Sequence, residues 1–185
     1  LQLVSSLLNI QSVSIDNEVF SNAISKSQDR IKSMALVHEN LYQSDTLSKI
    51  DIANYINTLT LNKTKALESQ NKKLIFIKNV KQINFEIEQM IPIGLLLNEL
   101  ITNSSKHAIS SEGSVCITIS FQQNVNNKFI LSYSDNGKGF SRDALKTKNK
   151  GLGMELIEGF ISQLDAEITV ESKQTGLFYS IEFDV

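Results

Sequence analysis

Apolar residues recur at helical spacing along the first third of the chain. Leu1, Val4 and Leu8 form one stripe and Leu3, Leu7 and Ile10 an adjoining one, which predicts a first helix buried on much of its circumference. Neither an initiating Met nor a cap precedes it, as expected of a cut made inside a helix. The polar run 11–18 interrupts the pattern. A second helix is expected over residues 19–42, with Phe20, Ile24, Ile31, Ala35, His38 and Tyr42 along one seam. Such four- and seven-residue spacings suit a helical hairpin or bundle. Asp51 is placed to cap a third helix carrying Ile52, Tyr55, Ile56 and Leu59. The polar stretch 62–73 reads as a loop, so the chain divides into a helical part, 1–66, and a second part, 70–185.

In the second part the period changes. Residues 73–78 (KLIFIK) and 82–87 (QINFEI) are rich in β-branched and aromatic residues and predict strands. Two more strands are expected over 114–121 and 128–134, joined by the turn QQNVNNK. A last pair, 167–172 and 177–184, is joined by Gln174, Thr175 and Gly176. Helices are expected around 95–108, with Pro92 in the first turn, and over 153–164. This order excludes an all-parallel doubly wound sheet. The expected class is α+β: a helical hairpin, then an α/β sandwich with helices on one face of a mixed or antiparallel sheet.

The helix around 95–108, LLLNELITNSSKHA, carries more than a core face. Ile93, Leu96, Leu97, Leu100, Ile101 and Ala108 share the apolar side, whereas Glu99, Asn103, Lys106 and His107 project together from a neighbouring one. By itself that pattern also fits an ordinary amphipathic helix. Composition narrows the choice little. Eighteen basic residues against twenty acidic ones give no global attraction for nucleic acid or an anionic membrane, so any anion must be held locally. The single cysteine, Cys116, excludes an internal disulfide, and its alternating surroundings read as core. No apolar run approaches the roughly 20 residues that span a bilayer.

Four of the eight glycines lie in two short signals. DNGKGF, residues 135–140, directly follows a strand; GLGMEL, residues 151–156, opens a helix and so presents free N–H groups to an anion. Each alone is weak, since DNG is a common turn. Their order after the helix 95–108 is far more specific.

NELITNSSKHA, DNGKGF and GLGMEL together resemble the N, G1 and G2 boxes of the ATP-binding fold shared by sensor histidine kinases, gyrase, Hsp90 and MutL. Upstream, LQLVSSLLNIQS and RIKSMALVHENLYQSDTLSKID resemble the dimerisation and phosphotransfer segment of a histidine-kinase subfamily whose acceptor histidine stands in a context like HHRVKNN. The resemblance implies Mg²⁺ and ATP as ligands. It makes Asn103 the Mg²⁺ ligand and Glu99 the acid that orients or deprotonates the attacking group, or a water in the metal shell. Lys106 approaches phosphate; His107 stacks, contacts phosphate or is merely structural. Asp135 accepts the adenine amino group, Gly137 and Gly139 pass close to the base, and Gly151, Leu152 and Gly153 border the phosphates. Between the boxes lies a short lid, 141–150, whose Arg142, Lys146, Lys148 and Lys150 are either a solvated loop or phosphate contacts, Lys148 and Lys150 being preferred.

Two departures stand out. Leu177 replaces the threonine whose hydroxyl often supports the adenine aspartate. Of the two histidines, His38 lies in the stretch resembling the second helix, where its seam position suggests packing, and His107 belongs to the nucleotide helix. The resemblance therefore puts no phosphoacceptor in this chain and expects one upstream, with a sensor region. A response-regulator receiver domain, a homodimer through the hairpin (a monomer if truncation weakens it) and a cytoplasmic location are further implications. A scaffold that binds ATP without phosphoryl transfer is the alternative.

Overall fold

The computed structural model describes residues 18–43, 49–68, 73–109, 113–139, 152–173 and 175–184. The first predicted helix and the lid lie outside them. In chain order the elements are α1 (Glu18–Gln43), β1 (Lys49–Asp51), α2 (Ile52–Glu68), β2 (Lys73–Val80), β3 (Asn84–Glu86), α3 (Ile87–His107), β4 (Ser114–Gln123), β5 (Phe129–Asp135), α4 (Leu152–Gln163), β6 (Glu167–Lys173) and β7 (Gly176–Phe183). The class is the expected α+β.

A five-stranded sheet runs β2-β4-β5-β7-β6, parallel between β2 and β4 and antiparallel elsewhere. Alternation along the strands sends Val115, Ile117, Ile119 and Phe121 of β4 to the core, with Leu131 and Tyr133 of β5 and Leu177, Tyr179, Ile181 and Phe183 of β7. Serines and threonines such as Thr118, Ser120, Ser132 and Ser180 take the other face. The helices α3 and α4 cover the apolar face with Leu96, Leu97, Leu100 and Ile101, and with Ile157, Phe160, Ile161 and Leu164. Phe85 of β3 meets Phe121 and Phe129 edge-on, with ring centroids 5.5 Å and 5.0 Å apart. Cys116 is half-buried rather than in the core.

Several elements differ from expectation for local reasons. β3 is confined to Asn84–Glu86 because Gln89 Oε1 accepts the Glu86 N–H at 3.3 Å, starting a helix at Ile87. Pro92 consequently sits inside α3 instead of in its first turn. The stretch read as a loop from Asn62 is helical to Glu68. Its threonines satisfy themselves within the helix, Thr60 Oγ1 donating to the Ile56 carbonyl at 2.8 Å and Thr64 Oγ1 to the Thr60 carbonyl at 3.0 Å. Asp51 does cap α2, its Oδ1 accepting the Ala53 N–H at 2.9 Å.

α1 keeps Ile24 of the expected seam inward but otherwise turns a different edge in, the side chains of Phe20 and Tyr42 lying outside the described ones. Ile24, Ser33, Leu36 and Val37 are buried, whereas Ile31 and Ala35 are half-buried and His38 is exposed. Val37 lies over Gly94 of α3, where an added Cβ would stand 3.2 Å from Val37 Cγ2 and collide with the Tyr55 hydroxyl. β1 pairs antiparallel with β3, so residues 49–68 pack with the sheet-bearing part of the molecule.

Candidate functional site

The polar side of α3 looks in two directions. Lys106 and His107 are exposed and Asn103 is half-buried, but Glu99 is only 5% exposed. Gly153, at the start of α4, packs against this pair. A Cβ there would stand 3.5 Å from Asn103 Oδ1 and 3.6 Å from Glu99 Oε2, so the two oxygens converge on one spot beside the glycine backbone. The other carboxylate oxygen, Oε1, accepts a hydrogen bond from Arg30 Nε of α1 at 2.9 Å. Among the described residues the buried Arg30 Nη2 has no hydrogen-bond partner. Beside them Lys63 of α2 donates to Thr102 Oγ1 at 3.1 Å. Burial lowers the Lys63 pKa, and Asp29 and Glu99 oppose that shift. Three helices thus meet at Glu99.

The inner end of the same face is built differently. Asp135, at the end of β5, is 9% exposed. Its Oδ2 accepts the Ser104 hydroxyl at 2.6 Å, and its Oδ1 accepts the Gly137 N–H at 3.0 Å. The Tyr133 hydroxyl donates to Ser104 Oγ at 2.8 Å. Burial pushes the Tyr133 phenol well above its usual pKa; burial, then the Asp135 charge, pushes Tyr179 up to about 12. A pocket opens above Asp135 between Leu100, Asn103, His107, Leu177 and Tyr179. Apolar walls from Leu100, Ala108, Leu177 and Tyr179 meet the Asp135 carboxylate there, with His107 and Lys138 at the edge.

Of the expected residues, Asn103, Asp135, His107 and Gly139 line this pocket, and Glu99 and Gly153 lie beside Asn103. Gly137 and Gly139 serve packing as well: a Cβ on Gly137 would collide with Ala108, and one on Gly139, at φ 66°, with the Lys173 carbonyl. Lys106 points to solvent. Lys148, Lys150 and Gly151 lie outside the described residues, as does the side chain of Leu152. The sequence reading missed Arg30, Lys63, Ser104, Tyr133 and Lys138, the last a pocket-wall cation. Ser104 left one signal. It stands four residues from both Leu100 and Ala108, a hydroxyl on an apolar stripe that needs a buried partner.

Residues 89–185 match the family of histidine kinase-, DNA gyrase B- and HSP90-like ATPases, and residues 1–67 match a histidine kinase family. The chain belongs to the histidine kinase-, gyrase B- and HSP90-like ATPase family. Its C-terminal part is therefore an ATP-binding domain of that family. Blue-light-activated histidine kinase 2 of Erythrobacter litoralis is 25% identical over 100 residues, covering 54% of this chain and 29% of that protein. The chain thus spans less than a third of the length of that relative. In structure it is similar to the histidine kinase domain of the blue-light-activated EL346 from the same species, with a TM-score of 0.74 at 17% identity over 99% of this chain and 95% of that one. The Acinetobacter baumannii histidine kinase AdeS gives a TM-score of 0.55 at 17% identity over 97% of this chain and 93% of that one. No described helix is long and apolar enough to cross a bilayer.

Proposed function

We propose that the chain is the catalytic core of a sensor histidine kinase that binds Mg-ATP and phosphorylates a histidine outside these residues. One observation carries this reading: Asn103 and Asp135 line one pocket along α3, and on its other side Asn103 meets Glu99 beside Gly153. The carboxylate of Asp135 takes the adenine amino group, and Leu100, Leu177 and Tyr179 take the faces of the base. The hard oxygens of Asn103 and Glu99 beside Gly153 fit Mg²⁺, with Asn103 as the ligand. Among the described residues no three His, Cys, Asp or Glu side chains cluster, so phosphate oxygens and water would complete its shell. When bound, the ion supplies charge neutralisation across the phosphates.

In the reaction an imidazole nitrogen attacks the γ-phosphorus, the bond to the ADP oxygen breaks, and the imidazole proton is released. Glu99 Oε2, the oxygen turned toward Gly153, orients that imidazole or accepts its proton, while Arg30 holds Oε1 in place. Lys106, His107, Lys148 and Lys150, with the backbone of 151–153, approach the phosphates; positioning and charge neutralisation supply most of the rate. The phosphoryl group then passes to an aspartate of a response-regulator receiver domain. A helical phosphotransfer and dimerisation part (1–66), an ATP-binding part (70–185), a homodimer through the helical hairpin, an upstream sensor region and a cytoplasmic location complete the proposal.

The test restores the upstream segment and incubates the protein with γ-labelled ATP. Acid-labile, base-stable label is expected on the restored protein and not on the 185-residue chain, and Asn103→Ala removes it. A restored protein that binds ATP and never labels would instead support the ATP-dependent scaffold.

A further inference from the structure

We propose that Ser104, backed by Tyr133, is a positioning residue that fixes Asp135 for an amino group and thereby makes the cleft select adenine over 6-oxopurines. The proposal rests on the ATP reading of the cleft and explains how this chain manages with Leu177.

A serine hydroxyl has one proton to give. At Ser104 it goes to Asp135 Oδ2, at a distance of 2.6 Å typical of a bond to an ionised carboxylate. Ser104 Oγ can then only accept from Tyr133, whose single proton fills that role at 2.8 Å. All donors in this chain point one way, toward Asp135, and Gly137 N–H adds a further one at Oδ1. The carboxylate is thus held as the acceptor in a slot whose apolar walls are Leu100, Ala108, Leu177 and Tyr179, with Asn103, His107 and Lys138 also lining it. Such an acceptor rewards a donor, the adenine amino group, and leaves a carbonyl oxygen at the same position facing an anion.

Position 177 makes Ser104 necessary. Leu177 lies directly opposite Asp135 in the β5–β7 register and lines the pocket, yet it has no hydroxyl. Gly176 beside it lets the β7 backbone press against the Asp135 carbonyl, so no side chain from that position intervenes. Among the described residues Ser104 is the side-chain donor to this carboxylate. The support comes from the helix rather than from the strand. Because Ser104 adjoins Asn103, the same turn of α3 sets both the base and the phosphate ends of the cleft.

The experiment is a calorimetric titration of the whole chain with ATP and with inosine triphosphate, whose ring carries a carbonyl where adenine has its amino group. Wild type should prefer ATP. Ser104→Ala should weaken ATP binding about tenfold and leave inosine triphosphate unchanged, and Tyr133→Phe should shift the ratio the same way by less. Adding Leu177→Thr to Ser104→Ala should restore the ratio, because the strand then supplies the hydroxyl. Unfolding midpoints taken alongside separate a loss of fold from a loss of selectivity, and Tyr133→Phe removes only one oxygen. An equal fall for both nucleotides, or an unchanged ATP affinity in Ser104→Ala, overturns the role of Ser104 alone. Wild type that binds neither nucleotide overturns the ATP reading, and this proposal with it.

Discussion

The two ends of the α3 cleft are built on opposite principles. At the inner end every group that holds Asp135 comes from α3, β5 or the turn after it, all packed on one sheet, and each hydrogen bond in the chain from Tyr133 is satisfied. At the outer end Glu99 is held by Arg30 from α1 and neighboured by Lys63 from α2, while Arg30 Nη2 and the side-chain amide of Asn98 are buried with no partner among the described residues. On the proposed reading, the first arrangement is preorganised for the nucleotide base. The second mixes elements of the helical region with the ATP-binding domain, where the proposed phosphoryl transfer would draw on both. Recognition is local and complete; chemistry is shared and left open.

The largest expected effect breaks the outer end. Arg30→Ala leaves the Glu99 carboxylate buried and unpaired, and urea unfolding should show a loss of about 3 kcal/mol. Adenosine affinity should not change. A loss under about 0.5 kcal/mol would make the pair no stronger than a surface ion pair and remove the clamp from the account.

Next, Asp135→Asn should weaken ATP and adenosine equally, by about 1.5–3 kcal/mol, or roughly 10- to 150-fold by calorimetry. Asn103→Ala should weaken ATP and leave adenosine alone. If both substitutions move both ligands, the ends are not separable.

The ends should also respond to alkali in opposite directions. Tyr133 and Tyr179 hold their protons in the folded state above the ordinary phenol value near 10, Tyr179 to about 12. Between those values the unfolded chain loses protons that the folded one keeps, so stability falls as pH rises. Unfolding midpoints across this range, with phenolate absorbance as the marker of ionisation, measure the effect. Lys63 has the reverse sign and the smallest consequence. Its folded pKa lies below its ordinary 10.5, so stability rises with pH through that window, and Lys63→Met should flatten the rise.

Much of this was legible in the sequence because period and glycine placement are local signals. The apolar stripe of α3, the alternation in β4 and the turn at Gly176 all follow from residue spacing. The length of α2 was not, since its polar end is helical through threonine back-bonds and packing that composition does not announce. Nor was the inward edge of α1, which Val37 sets by fitting over Gly94. At the site, Glu99, Asn103 and Asp135 were marked by motif order, whereas Arg30 and Ser104 were not. Arg30 meets Glu99 across 69 residues of sequence and Ser104 meets Asp135 across 31, and no periodicity reports a contact at such range. Leu177 brings no hydroxyl to Asp135, and the hydroxyl that does reach it comes from Ser104 of α3.

The most direct test of the central claim is a crystal structure of the chain with Mg²⁺ and a non-hydrolysable ATP analogue. The account predicts the adenine amino group within hydrogen-bond distance of Asp135, and the ion on Asn103 beside Gly153. A nucleotide bound elsewhere, or with its base at the Glu99 end, would contradict it.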